Sequence, residues 1–143
     1  MDVDLTLAAT LAPLLRDLEA GRVPSPRVEA SDWNPGNPGA MLYGEDGHGW
    51  GISLRADAPP AEQLAHLADQ VQEWAVEDLW SAGRSAVWPS CPDHPDSHPL
   101  QPQVADEFTP DAAAVWRCPK SGHAIAAIGE LPATSEGRPR AGR

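Results

Sequence analysis

The sequence predicts an α+β fold, with amphipathic helices packed on a small antiparallel sheet and a distinct C-terminal unit after them. Three observations predict it. Apolar residues recur at helical spacing through 64–79, at Leu64, Leu67, Ala68, Val71, Trp74, Ala75 and Leu79. Two short apolar segments, 41–43 and 50–55, flank the turn-forming "GEDGHG". After Gly83 the composition changes: "RSAVWPSCPDHPDSHPLQPQV" carries five prolines and cannot be helical.

In chain order, "TLAPLLRDLEAG" reads as a short helix, with Leu11, Leu14, Leu15 and Leu18 on one stripe. Thr10 can cap it, which puts Pro13 in the first turn; a start near Asp4 would place Pro13 inside the helix. Gly21 suits the C-terminal stop. Residues 22–40, with their doubled Asn-Pro-Gly, read as a loop. No Lys or Ser/Thr follows at phosphate-binding spacing, so a phosphate-cradling loop is disfavoured. The 41–55 stretch is a hairpin whose Asp46-Gly47 step favours reversal, with His48 solvated at its tip.

The longest helix follows. Pro59 and Pro60 stand at its entry, Glu62 adds negative charge to its first turn, and Gly83 ends it. Glu73, Glu77 and Asp78 read as a solvated acidic face, and His66 as a partly exposed helix residue. Beyond the proline-rich stretch, 100–104 and 114–118 can pair as a hairpin, and "AIAAIGEL" offers a third strand. The domain organisation is then a body at 1–87, a module at 88–132 and a disordered tail at 133–143.

The 143-residue chain has a net charge of −11 and a pI near 4.6. Nine of the ten basic residues are Arg, which in this Ala- and Pro-rich composition reads as coding bias. An acidic surface repels phosphate, so neither nucleic acid nor an anionic membrane is an expected partner; a protein partner or self-association is. The N-terminal segment opens with Asp2 and Asp4 where a secretory leader carries basic residues, so the expected location is cytoplasmic. Two cysteines there point to thiols or metal ligands before a structural disulfide.

Cys91, His94 and His98 fall within eight residues of a chain with two cysteines and five histidines. Cys91 and His94 have C-x₂-H spacing, and Pro92 and Pro95 stiffen that turn. Cys118 and His123 have C-x₄-H spacing across "PKSG", where Gly122 permits reversal. Thiolate and imidazole at such spacings are the donors zinc prefers, and a hairpin between the cysteines would bring both turns together. The expected cofactor is one Zn²⁺ per chain. A Cys91–Cys118 disulfide or dithiol, and two plain thiols, are the alternatives. Trp88 and Trp116 precede the cysteines closely enough to pack over the site.

Over residues 88–130, "WPSCPDH…HPL…VWRCPKSG" resembles the zinc-ribbon group, whose knuckles often read C-P-x-C-G. A similar W-P-x-C-P-x-H…H-P-L…W-x-C-P pattern occurs in small actinobacterial proteins and implies no activity. The resemblance departs at two positions: His94 stands where the first knuckle's second Cys would be, and Ser121 where the second knuckle's would be. The fourth ligand is then His123 if ligands pair by knuckle, or His98 if "CPDHPDSH" supplies three. The functional expectation is a non-catalytic, metal-stabilised interaction or adaptor protein. A small zinc hydrolase, with Asp93 or Asp96 as base, and a thiol redox protein are the rivals.

Overall fold

The computed structural model describes residues 2–105 and 113–133, with the backbone alone at 95 and 96. The tail expectation, 133–143, lies outside the described residues except at Ala133, and the connection between 100–104 and 114–118 lies outside them over 106–112.

Helix α1 spans Leu5–Ala20. It starts earlier than the Thr10 cap would place it, because the Asp4 carboxylate accepts from the Thr6 and Leu7 N–H groups and satisfies two orphan donors. Pro13 therefore lies inside the helix, not in its first turn. The left-handed residue at the C-terminal end is Arg22, at φ 62°, while Gly21 keeps φ −89°. Leu7, Leu11, Leu14 and Leu18 are fully or almost fully buried, and each contributes about 1.5–3 kcal/mol on leaving water.

Strands β1 (Arg27–Ala30), β2 (Gly39–Tyr43) and β3 (Gly49–Ser53) form an antiparallel sheet in that order. The β2–β3 hairpin matches the sequence expectation, with Gly47 in the turn at φ 87°. Strand β1 lies inside the segment read as loop, pairing Val28 with Leu42. Trp33, just beyond it, lies over Gly51 and donates its indole N–H to the Ile52 carbonyl at 2.8 Å; a Cβ on Gly51 would meet that ring at 2.8 Å.

Helix α2 runs Pro60–Ser81 and buries Leu67, Ala68, Val71, Trp74, Ala75 and Leu79. Leu64 packs partly buried against them. Gly83, at φ 73°, follows its end. The helix packs against α1, β3, β6 and β7.

The C-terminal part holds a two-stranded unit, β4 (Ser90–Cys91) with β5 (His94–Pro99), and a three-stranded antiparallel sheet. That sheet is β6 (Gln101–Ala105), β7 (Ala113–Arg117) and β8 (Ala124–Ala127). One apolar core runs from Leu7 and Leu14 through Leu67 and Trp74 to Trp116, Cys118 and Ile128. Among the described residues, three polar side chains of the helices fasten the C-terminal part to them, Arg16 of α1 by donating to the Gly129 carbonyl at 3.3 Å. Gln72 of α2 donates to the Trp88 and Leu100 carbonyls at 3.1 and 2.6 Å. Asp17 of α1 accepts from the Trp116 indole and the Gly129 and Leu131 N–H groups. The result is an α+β protein whose three small sheets share two helices.

Candidate metal centre

Cys91 ends β4, and the turn at 92–93 returns the chain so that His94, the first residue of β5, pairs with it. Four residues further along the same strand is His98. Cys118 follows the last residue of β7, at the mouth of a second tight turn. There the Gly122 N–H donates to the Cys118 carbonyl at 2.8 Å, and Gly122 takes φ 79°. The Ser121 N–H points back at the Cys118 sulfur at 3.4 Å. Ser121 thus occupies a knuckle position as a backbone donor and not as a ligand.

These turns bring Cys91, His94, His98 and Cys118 together, each offering one ligand atom within 4.8 Å of all the others. The Nδ1 atom of His94 lies 3.5 Å from the Cys91 sulfur and 3.7 Å from the Cys118 sulfur. In a zinc tetrahedron with Zn–S about 2.3 Å and Zn–N about 2.0–2.1 Å, the S-to-N edge is about 3.6 Å. The spacing therefore matches a tetrahedral ion in the middle.

The cysteines are not joined to each other and both are fully buried, while both imidazoles are half-buried. His98 donates through Nδ1 to the Pro99 carbonyl at 3.2 Å, which fixes the tautomer and leaves Nε2 bare. That Nε2 is the one buried side-chain nitrogen or oxygen without a hydrogen-bond partner among the described residues. An unpaired buried acceptor on a residue grouped with two thiols and a second imidazole is an arrangement that a cation completes. The Ser121 side chain and then its N–H hold the Cys118 thiol down to about 6, which favours the thiolate a metal needs.

His123 sits outside this group. Its imidazole is exposed, and its contribution to the turn is backbone: its carbonyl accepts from the Cys118 N–H at 2.9 Å. His48 is exposed at the β2–β3 turn, 2.8 Å from the Asp46 carboxylate. Asp93 is exposed beside the first knuckle. Behind the cysteines, Trp88 and Trp116 meet edge-to-face with centroids 5.3 Å apart, both buried.

Sequence reasoning did not find Asp17. The available signal was an acid on an apolar helix face, three residues after Leu14 and one before Leu18, where a charge is tolerated only with partners. Fold and site define an α+β protein with a candidate Cys₂His₂ metal centre. Compared with known proteins, the chain matches no family model, no curated protein and no solved structure. Among the described residues no helix is long and apolar enough to cross a membrane.

Proposed function

We propose that Cys91, His94, His98 and Cys118 hold one zinc ion in a closed, zinc-ribbon-like structural site, and that the protein is a non-catalytic, metal-stabilised interaction protein of the reducing cytoplasm. The observation that carries the metal reading is the bare, buried Nε2 of His98 beside two thiols and the His94 imidazole. Four protein donors fill a zinc tetrahedron, leaving no position for the water that a catalytic zinc activates. Their place on the β4–β5 pair and at the end of β7 suits a structural role: the ion ties two separate sheets together. The interaction role rests on the net charge of −11, which disfavours nucleic acid and favours a basic protein surface.

A cobalt(II) titration of the metal-stripped full chain tests the ligand set. The expected spectrum has the intense visible bands of tetrahedral cobalt and a thiolate charge-transfer band. It should change in His98→Ala and stay the same in His123→Ala. A weak octahedral spectrum, or loss of the bands in His123→Ala alone, would overturn the assignment.

A further inference from the structure

The sheet of β1, β2 and β3 has β1 and β3 as its outer strands, and the two edges differ. At β3 the Gln70 side chain of α2 occupies the edge. Its amide accepts from the Ser53 N–H and donates to the Ser53 carbonyl, both at 2.9 Å. At β1 the ladder shows which groups face outward. The Ser31 N–H donates to the Gly39 carbonyl at 3.3 Å, one position past the last strand pair, Ala30 with Ala40. Antiparallel partners alternate between bonded and unbonded pairs. Glu29 and Arg27 therefore bond to β2, and the N–H and C=O groups of Val28 and Ala30 point away from it. On the other side of β2, the 2.8 Å bond from the Leu54 N–H to the Pro38 carbonyl gives the matching phase. Outward groups on an edge strand are a template for a further strand.

The side chains decide which strand fits. Val28 packs partly buried against the core, so its neighbours Arg27 and Glu29 stand on the opposite face. Their side chains are 62% and 51% exposed and pair with each other at 3.1 Å. Two copies of β1 can meet antiparallel about a two-fold axis only in registers that bond the outward residues. Centred on Val28, the pairing sets Arg27 opposite Glu29 of the second copy, and Glu29 opposite its Arg27. These fall at unbonded pairs, where side chains come closest. Centred on Glu29, the pairing sets glutamate against glutamate, and centred on Ala30 it sets Glu29 against Ser31. Opposite charges attract across strands and like charges repel, so the charges select the first register.

We propose that β1 pairs with β1 of a second copy of this chain, antiparallel about Val28, joining two three-stranded sheets into one of six strands. With the pair each copy already holds, Arg27 and Glu29 of both copies close a ring of four alternating charges. Pro26 has no N–H to give and ends the ladder. A contact of two such short strands is small beside the roughly 1,000 Å² of a lasting interface, so the dimer is weak and reversible. The net charge of −11 opposes the approach of two copies, but at physiological salt charges more than about 8 Å apart are largely screened. Strand β1 itself carries one charge of each sign. This interface uses no residue of the metal centre and goes beyond the function proposed above.

The test is sedimentation equilibrium of the full chain, as purified, at physiological salt and at concentrations rising into the high micromolar range. The wild type should show a reversible monomer–dimer equilibrium. Arg27→Glu and Glu29→Arg should each weaken self-association at least tenfold, because each sets like charges opposite one another. An equimolar mixture of these two variants should dimerise to within threefold of the wild type, since every facing pair is then of opposite sign. The double variant Arg27→Glu/Glu29→Arg should do the same alone. Recovery in the mixture also shows that both single variants are folded. A wild type that stays monomeric, single substitutions that leave the dimer intact, or a mixture no stronger than its components overturns the proposal. Zinc content measured on the same samples separates the two ideas: zinc-free protein that dimerises sinks only the metal reading, and zinc-loaded protein that stays monomeric sinks only the strand pairing.

Discussion

Asp17 and Trp116 meet at 2.8 Å across 99 positions of sequence, a buried carboxylate of α1 accepting the indole N–H of β7. The same carboxylate takes the Gly129 and Leu131 N–H groups, and the Asp17 backbone carbonyl takes the Trp88 indole at 3.4 Å. One residue thus positions both tryptophans that stand beside the candidate metal cysteines.

Asp17→Ala should therefore be among the most damaging single changes. It strands three buried donors, each costing about 1–3 kcal/mol when unmet, so a loss of about 3 kcal/mol or more is expected. Urea unfolding measures it. A loss below about 1 kcal/mol would mean that water or a shifted backbone takes over the three donors.

Gln72 joins the same parts from the other helix. Gln72→Ala leaves the Trp88 and Leu100 carbonyls without their donor, and should cost about 1–2 kcal/mol by the same measurement. Gln72→Glu should be worse than Gln72→Ala, because a carboxylate would then face two carbonyl oxygens. The reverse order would show that the Gln72 contacts are not maintained in solution.

The hairpin turn should titrate as a pair. Hydrogen bonding to Asp46 raises the His48 pKa from 6.5, and hydrogen bonding to His48 lowers that of Asp46 from 3.8. The His48 contribution is complete below its unfolded value near 6.5 and is lost as pH rises through its raised folded value. The Asp46 contribution is present above 3.8 and is lost as pH falls through its lowered value. Both groups are solvated, so the effect is local and small in global stability. An NMR titration should find the His48 midpoint falling in Asp46→Asn; an unchanged midpoint would rule out the pair.

Much of this was legible in the sequence, and the gaps have physical reasons. The apolar period of Leu67, Val71, Trp74 and Leu79 fixed α2, since a long amphipathic stripe leaves one way to bury it. The turn at Asp46-Gly47 marked the β2–β3 hairpin. Strand β1 was not legible: four residues after two prolines, with alternating exposure, take their strand state from pairing with β2. Thr10 and Asp4 were both plausible caps, and only the packing of Leu7 selects Asp4. At the candidate centre, spacing singled out Cys91, His94 and Cys118 but left His98 and His123 open. That choice depends on the strand period of β5 and on the side-chain direction at a turn, neither of which ligand spacing encodes.

Chelation should destabilise the fold as a whole, because the four donors come from β4, β5 and the end of β7, in the same core as α1 and α2. Zinc bound a thousandfold above its dissociation constant adds about 4 kcal/mol. Removal of the ion by a strong chelator should therefore lower the melting temperature by several degrees or more. Restoring zinc should restore it. A melting curve indifferent to both additions would mean that the fold does not depend on the ion.

The most direct measurement is the metal content of protein purified without chelator, determined by elemental mass spectrometry on the wild type and on Cys91→Ser, His98→Ala, Cys118→Ser and His123→Ala. The account predicts one zinc per wild-type chain, the same in His123→Ala, and a loss of at least tenfold in the other three. Wild-type protein free of zinc and every other transition metal, or zinc content that depends on His123 and not on His98, would contradict it.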